Sequence, residues 1–153
     1  MGNPNKYSGV ISKRTGVGEN KEQITIASTI ESIDEAVTKT VDYAKGLGFE
    51  DDAIFGIDMA VREAVANAVK HGNGLDESKR VDVTLCDVPG GLEITVRDYG
   101  EGFKVEDVPD PTNPENLLKE DGRGILFMQN FVNTVEWHNH PEGGMLVRMV
   151  KEL

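Results

Sequence analysis

The chain has 153 residues, a length that suits one domain able to bury its own core without disulfide or metal staples. With 27 acidic against 16 basic side chains its formal net charge is −11, which argues against nonspecific affinity for nucleic acid or an anionic membrane face. A nucleotide could be held on such a protein only by local geometry: backbone N–H groups, a helix N-terminus, a divalent cation.

Residues 1–20 are rich in Gly, Asn, Ser and Lys, show no periodicity and lack the apolar core of a secretory signal, so they are expected to form a flexible N-terminal arm. Ile24, Ile26 and Ile30 share one parity and predict a strand that ends near Ser28. Ser32 or Asp34 is then placed to cap an amphipathic helix with its stripe at Ile33, Val37, Val41 and Ala44, stopped by Gly46 and Gly48. A second helix starts at Asp51 or Asp52. Its broad stripe of Ile54, Ile57, Val61, Ala64, Val65 and Ala68 carries it to about Lys70, and the stretch Gly72 to Gly74 ends it.

Val81, Val83 and Leu85 alternate, Pro89-Gly90-Gly91 signals a turn, and Leu92, Ile94 and Val96 alternate again, so Arg80 to Asp98 reads as a β-hairpin. Cys86, the single cysteine, lies in this apolar run. It has no internal disulfide partner, and it is expected to be a buried, inert thiol in a reducing compartment. From Tyr99 to Asp121 the chain is polar, with three prolines, and too long for an ordinary connection. A short helix over Ile125 to Phe131, entered through Gly122-Arg123-Gly124, and two closing strands, Thr134 to Trp137 and Met145 to Val150, complete the chain. No run reaches the ~18 apolar residues of a membrane span, and the expected location is the cytoplasm. His138 and His140 lack further ligands for a metal site and read as a surface turn, and Trp137 reads as core. The order β-α-α-β-β-loop-α-β-β predicts an α+β two-layer sandwich, a mostly antiparallel mixed sheet covered on one face by helices.

Three clusters could carry chemistry. Glu63 and Asn67 lie four apart on the second helix, one turn above each other, and their apolar neighbours Ala64, Val65, Ala66, Ala68 and Val69 place at least one of them toward a cleft. His71, at the end of that helix, reads by itself as a C-terminal residue meeting the negative end of the helix dipole. In Val96-Arg97-Asp98-Tyr99-Gly100-Glu101-Gly102-Phe103 a strand ends in a carboxylate suited to an exocyclic amine, and two glycines allow a planar ligand to approach the backbone. Asp121-Gly122-Arg123-Gly124-Ile125 is a glycine-rich helix entry that presents N–H groups and a guanidinium to phosphate.

The ordered set E-x-x-x-N, D-x-G-x-G and G-x-G resembles the Bergerat-fold (GHKL) ATP-binding domains over about Gln23 to Leu153. The segments Glu63 to Gly72, Val96 to Phe103 and Gly122 to Ile125 look like the stand-alone anti-sigma factor serine/threonine kinases. That resemblance implies that residues 21–153 form an ATP-binding kinase domain using Mg²⁺. Asn67 would hold the metal against the triphosphate, Asp98 would bind the adenine amino group, and Glu63 would be the general base toward the substrate hydroxyl. Gly100, Gly102 and Phe103 would shape the adenine pocket, His71 would lie at the nucleotide, and Gly122, Arg123, Gly124 and Ile125 would contact the phosphates at the edge of a lid, Tyr99 to Asp121. It further implies a STAS-type anti-sigma factor antagonist as substrate, a sigma factor as second partner and a homodimer. No direct nucleic-acid or membrane partner is expected.

Two departures bear on this. Met145 follows Gly143-Gly144 where the family usually has a threonine that helps grip adenine, which lowers the expected ATP affinity. The lid is also acidic, with Glu101, Glu106, Asp107, Asp110, Glu115, Glu120 and Asp121 against Lys104 and Lys119. The alternative reading is a nucleotide-responsive switch without useful kinase turnover. A histidine-kinase catalytic domain would need an upstream phosphoacceptor, and there is no histidine before Gln23.

Overall fold

The computed structural model describes residues 20–100 and 120–153. Strand β1 (Lys21–Ala27) leads into α1 (Ile30–Gly46) and α2 (Asp51–Asn67), followed by a π-helical turn over Ala68–Gly72. The hairpin β2 (Arg80–Val88) and β3 (Gly91–Arg97) comes next, then α3 (Glu120–Gln129), β4 (Thr134–Asn139) and β5 (Met145–Glu152). The strands form one five-stranded sheet in the order β1-β2-β3-β5-β4. Every pairing in it is antiparallel, where a mostly antiparallel mixed sheet was expected.

Alternation sorts each strand into two faces. Ile24 and Ile26, Val81, Val83 and Leu85, Leu92, Ile94 and Val96, and Val147 and Met149 are buried on one of them. The helices close that face with Ile33, Ala36, Val37 and Ala44 from α1, Ile57, Ala60, Val61, Ala64 and Val65 from α2, and Met128 from α3. Trp137 packs at the edge of this core. The opposite face carries Thr84, Thr95 and Arg148, and Arg148 is paired with Glu93 at 2.5 Å and Glu136 at 3.2 Å. Among the described residues no helix is long and apolar enough to cross a membrane.

Three expectations change. Helix α1 begins at Ile30, with Thr29 as its cap: the Thr29 hydroxyl accepts from the Ser32 amide at 3.2 Å, so Ile30, counted in the strand pattern, is the first helical residue and half exposed. Helix α3 begins at Glu120, so Gly122-Arg123-Gly124 lies inside its first turns instead of forming a loop before it. Glycine costs a helix about 1 kcal/mol per residue, a cost offset at Gly124 by its close approach to two side chains of α2, described below. Cys86 has the parity opposite to Leu85 and is half-buried on the sheet face away from the helices, not in the core. The proposed arm lies almost wholly outside the described residues.

Candidate active site

Two of the three clusters meet at α2. Glu63 and Asn67 are half-buried on the last turns of that helix, which runs into the π-helical turn at Ala68. Such turns commonly occur where a helix serves a site. Gly124 of α3 is buried directly against both side chains. A Cβ added there would lie 2.7 Å from the Asn67 amide nitrogen and 2.8 Å from a Glu63 carboxylate oxygen. The glycine-rich segment therefore sits on the E-x-x-x-N face, closer than a Cβ could come without displacing these two side-chain ends. Among the described residues no hydrogen bond saturates the Glu63 carboxylate.

This contact separates function from folding. Gly124→Ala adds about 1 kcal/mol of helix propensity, and its methyl group meets only the movable ends of two side chains. The variant is expected to keep or slightly raise its urea-unfolding free energy while any ligand that needs Glu63 and Asn67 binds more weakly, because the two side chains are pushed aside.

The third cluster forms where β3 ends. Asp98 is 5% exposed, and its backbone N–H donates to the Met145 carbonyl at 3.0 Å, continuing the β3–β5 pairing by one residue. Oδ1 accepts from the amides of Gly100 and Met145, each at 3.1 Å. Among the described residues Oδ2 accepts no hydrogen bond. Burial holds the Asp98 carboxyl above the ordinary carboxylate range, against the two amide donors and the neighbouring Arg97 and Lys79. A buried carboxylate with one oxygen fixed by the backbone and the other lacking a protein donor is suited to accept from a ligand's N–H. Gly72 packs on this carboxylate and its carbonyl packs on Gly100, both too closely for a side chain. The end of the π-helical turn and the end of β3 thus form two walls meeting at Asp98.

Of the residues singled out in the sequence, Glu63, Asn67 and Gly124 come together, as do Asp98 and Gly100. His71 is exposed on the π-helical turn. Gly122, Arg123 and Ile125 lie on α3, where only the backbone is described. Gly102 and Phe103, with the charged lid residues from Glu101 to Lys119, lie outside the described residues. Met145 supplies its amide to Asp98 by backbone, a contact indifferent to its side chain. His138 and His140 belong to the β4–β5 end, where the His140 ring accepts from the Glu142 amide at 3.0 Å.

Asn73 was missed in the sequence, where it counted only as part of a helix stop. It is 4% exposed, and its amide donates to the Ser28 hydroxyl at 2.7 Å and the Arg80 carbonyl at 2.9 Å, while its oxygen accepts from the Tyr99 amide at 2.8 Å. Its partners are distant in sequence, so no local pattern marks it.

The site thus combines a buried carboxylate at Asp98, one oxygen of which meets no donor among the described residues, with a carboxylate and a carboxamide, Glu63 and Asn67, under a glycine. The family model of the histidine kinase-like ATPase domain matches residues 26–151. The anti-sigma F factor of Heyndrickxia coagulans is 33% identical over 88% of this chain and 94% of its own length. The serine-protein kinase RsbW of Oceanobacillus iheyensis is 28% identical over 71% of each chain. Among solved structures, the RsbU and RsbW domains of a Mycobacterium tuberculosis protein superpose with a TM-score of 0.62 at 21% identity. That match covers 88% of this chain but 32% of the longer one, and it concerns the fold alone.

Proposed function

The chain belongs to the histidine kinase-like ATPase domain family and is a serine/threonine protein kinase of the anti-sigma factor type; on that premise we propose how its residues divide the work. Residues 21–153 are the ATP-binding kinase domain. Asp98 accepts from the adenine amino group, Asn67 holds Mg²⁺ against the triphosphate, and Glu63 is the general base. Gly100, Gly102 and Phe103 shape the adenine pocket, with His71 and the Gly122, Arg123, Gly124 and Ile125 segment at the phosphates. The protein partners are a sigma factor, which it sequesters, and a small STAS-type antagonist, which it phosphorylates. The kinase works as a cytoplasmic homodimer.

The position of Gly124 carries this reading, because it sets the glycine-rich helix on the Glu63–Asn67 pair. A serine hydroxyl attacking the γ-phosphorus forms a new P–O bond as the bond to the β–γ bridging oxygen breaks. ADP leaves, and the hydroxyl proton must go to a nearby base. Glu63 is the carboxylate one helical turn from the carboxamide and is not engaged in an ion pair among the described residues. Mg²⁺, when bound, neutralises charge on the phosphate oxygens. It takes few protein ligands beside phosphate and water, so one carboxamide suffices.

The test is calorimetric titration of ATP with and without Mg²⁺, followed by transfer of labelled γ-phosphate to the antagonist. Wild type is expected to bind more tightly with the metal, and Asn67→Ala to lose most of that difference while retaining the weaker metal-independent binding. A metal effect undiminished in Asn67→Ala would remove Asn67 from the metal. Binding by the wild type with no transfer to any antagonist would favour the nucleotide-responsive switch, the reading that substitution of the family's threonine by Met145 keeps in view.

A further inference from the structure

We propose that Asn73 is a positioning residue that sets the selectivity of the site for a 6-aminopurine, by fixing the backbone immediately after Asp98. The inference rests on the reading of Asp98 as the adenine acceptor and goes beyond it.

Asn73 joins the two segments that meet at Asp98, the end of the π-helical turn and the end of β3. It follows Gly72, which packs on the Asp98 carboxylate, and its side-chain oxygen takes the amide of Tyr99, the residue after Asp98. Both hydrogens of its carboxamide are committed, to Ser28 at the end of β1 and to Arg80 at the start of β2. Ser28 is itself tied to the Lys79 carbonyl at 2.7 Å. A carboxamide saturated on both sides has one allowed orientation, so the Tyr99 amide is held from a rigid frame. In the same loop Leu75 takes φ 59°, a left-handed conformation that branched apolar residues rarely adopt, with its amide donating to the Val69 carbonyl at 2.8 Å.

From the other side Tyr99 is pinned by its ring. Its hydroxyl donates to Asp82 at 2.5 Å and accepts from Arg80 at 2.8 Å, and the guanidiniums of Arg80 and Arg97 each lie 4.2 Å from the ring centroid. With Tyr99 tied at both its amide and its hydroxyl, the turn Asp98-Tyr99-Gly100 is held in the form in which Oδ1 meets the Gly100 and Met145 amides. Oδ2 is then left for a ligand. Without the Asn73 tie, the turn is free to relax so that Oδ2 also finds a backbone donor, and the site loses the acceptor that distinguishes an amino group from hydrogen.

Affinity for Mg²⁺-ATP is compared by calorimetry with affinity for the purine riboside triphosphate that lacks the 6-amino group, alongside melting temperatures. Wild type is expected to favour ATP, and Asn73→Ala to reduce that preference by about fivefold or more, since a fixed buried acceptor is worth roughly this much or more against an analogue without the donor. Asn73→Ser, whose hydroxyl is too short to reach Tyr99 yet keeps a polar group in the buried position, gives the same result if the alanine variant is too unstable to purify. Ser28→Ala loosens the frame but leaves the Tyr99 tie, and it should lower the melting temperature with the preference retained. Folded Asn73 variants that melt earlier but keep the wild-type preference would overturn the inference and leave Asn73 a purely structural residue. A wild type that does not distinguish the two nucleotides would instead overturn the reading of Asp98, and the inference with it.

Discussion

Replacing Glu63 by glutamine is expected to lower γ-phosphate transfer by about 10²- to 10⁴-fold, the usual worth of a positioned general base, while changing ATP affinity little. Glutamine keeps the size of the side chain under Gly124, where the available space is set by a contact of 2.8 Å from the glycine's Cβ position, but cannot take the hydroxyl proton. Glu63→Ala should fall at least as far. Transfer measured under single-turnover conditions separates the chemical step from product release. Transfer at the wild-type rate in Glu63→Gln would assign the base elsewhere.

Asp98→Asn acts on binding instead. Asparagine can keep its oxygen on the Gly100 and Met145 amides, which places an NH₂ group where Oδ2 stood and, in the proposed binding mode, opposite the adenine amino group. Two opposed donors, one of them buried, cost about 1–3 kcal/mol or more, so ATP affinity is expected to fall roughly 10- to 100-fold or further by calorimetry. The fold should not suffer. Burial raises the Asp98 carboxyl above its unfolded value, so the folded protein without nucleotide holds that proton more tightly than the unfolded chain. The stability this group contributes is therefore fully present below the ordinary carboxylate range and is lost as pH rises through the raised folded value. The neutral asparagine removes that loss, and near neutrality the variant should melt at or above the wild-type temperature. Nucleotide binding has the opposite sense. With Asp98 as the proposed acceptor of the adenine amino group, binding needs its ionised form, so wild-type ATP affinity should decline as pH falls through the raised carboxyl range, and the decline should be absent in Asp98→Asn. Equal pH profiles for the two proteins would exclude Asp98 as the titrating acceptor.

The elements whose own residues carry a period were legible in the sequence. The hairpin of β2 and β3 and the stripes of α1 and α2 fell where alternation and three-to-four spacing put them, because one face of each is buried in a common core. The misplacements have local causes. Ile30 shares the parity of Ile24 and Ile26 and so mimics the strand, but the Thr29 hydroxyl caps the Ser32 amide and starts the helix there. Glycines 122 and 124 suggested a loop because glycine favours one on average. Inside α3 the requirement is tertiary, since Gly124 must approach Glu63 and Asn67.

Of the site, the polar types and their order could be read, but not which members touch. Asp98 was marked by ending a strand beside glycines. That its two oxygens are differently engaged depends on Met145, 47 residues away. Asn73 depends on partners 45 and 26 residues distant, Ser28 and Tyr99, and a hub of that kind leaves no periodic trace.

Titration of the wild-type chain with ATP in the presence of Mg²⁺ tests the central claim most directly. The account predicts saturable uptake of one ATP per chain, weakened when adenine is replaced by a base without the 6-amino group. Absence of saturable ATP uptake by the folded protein, at concentrations up to those of ATP in cells, would contradict it.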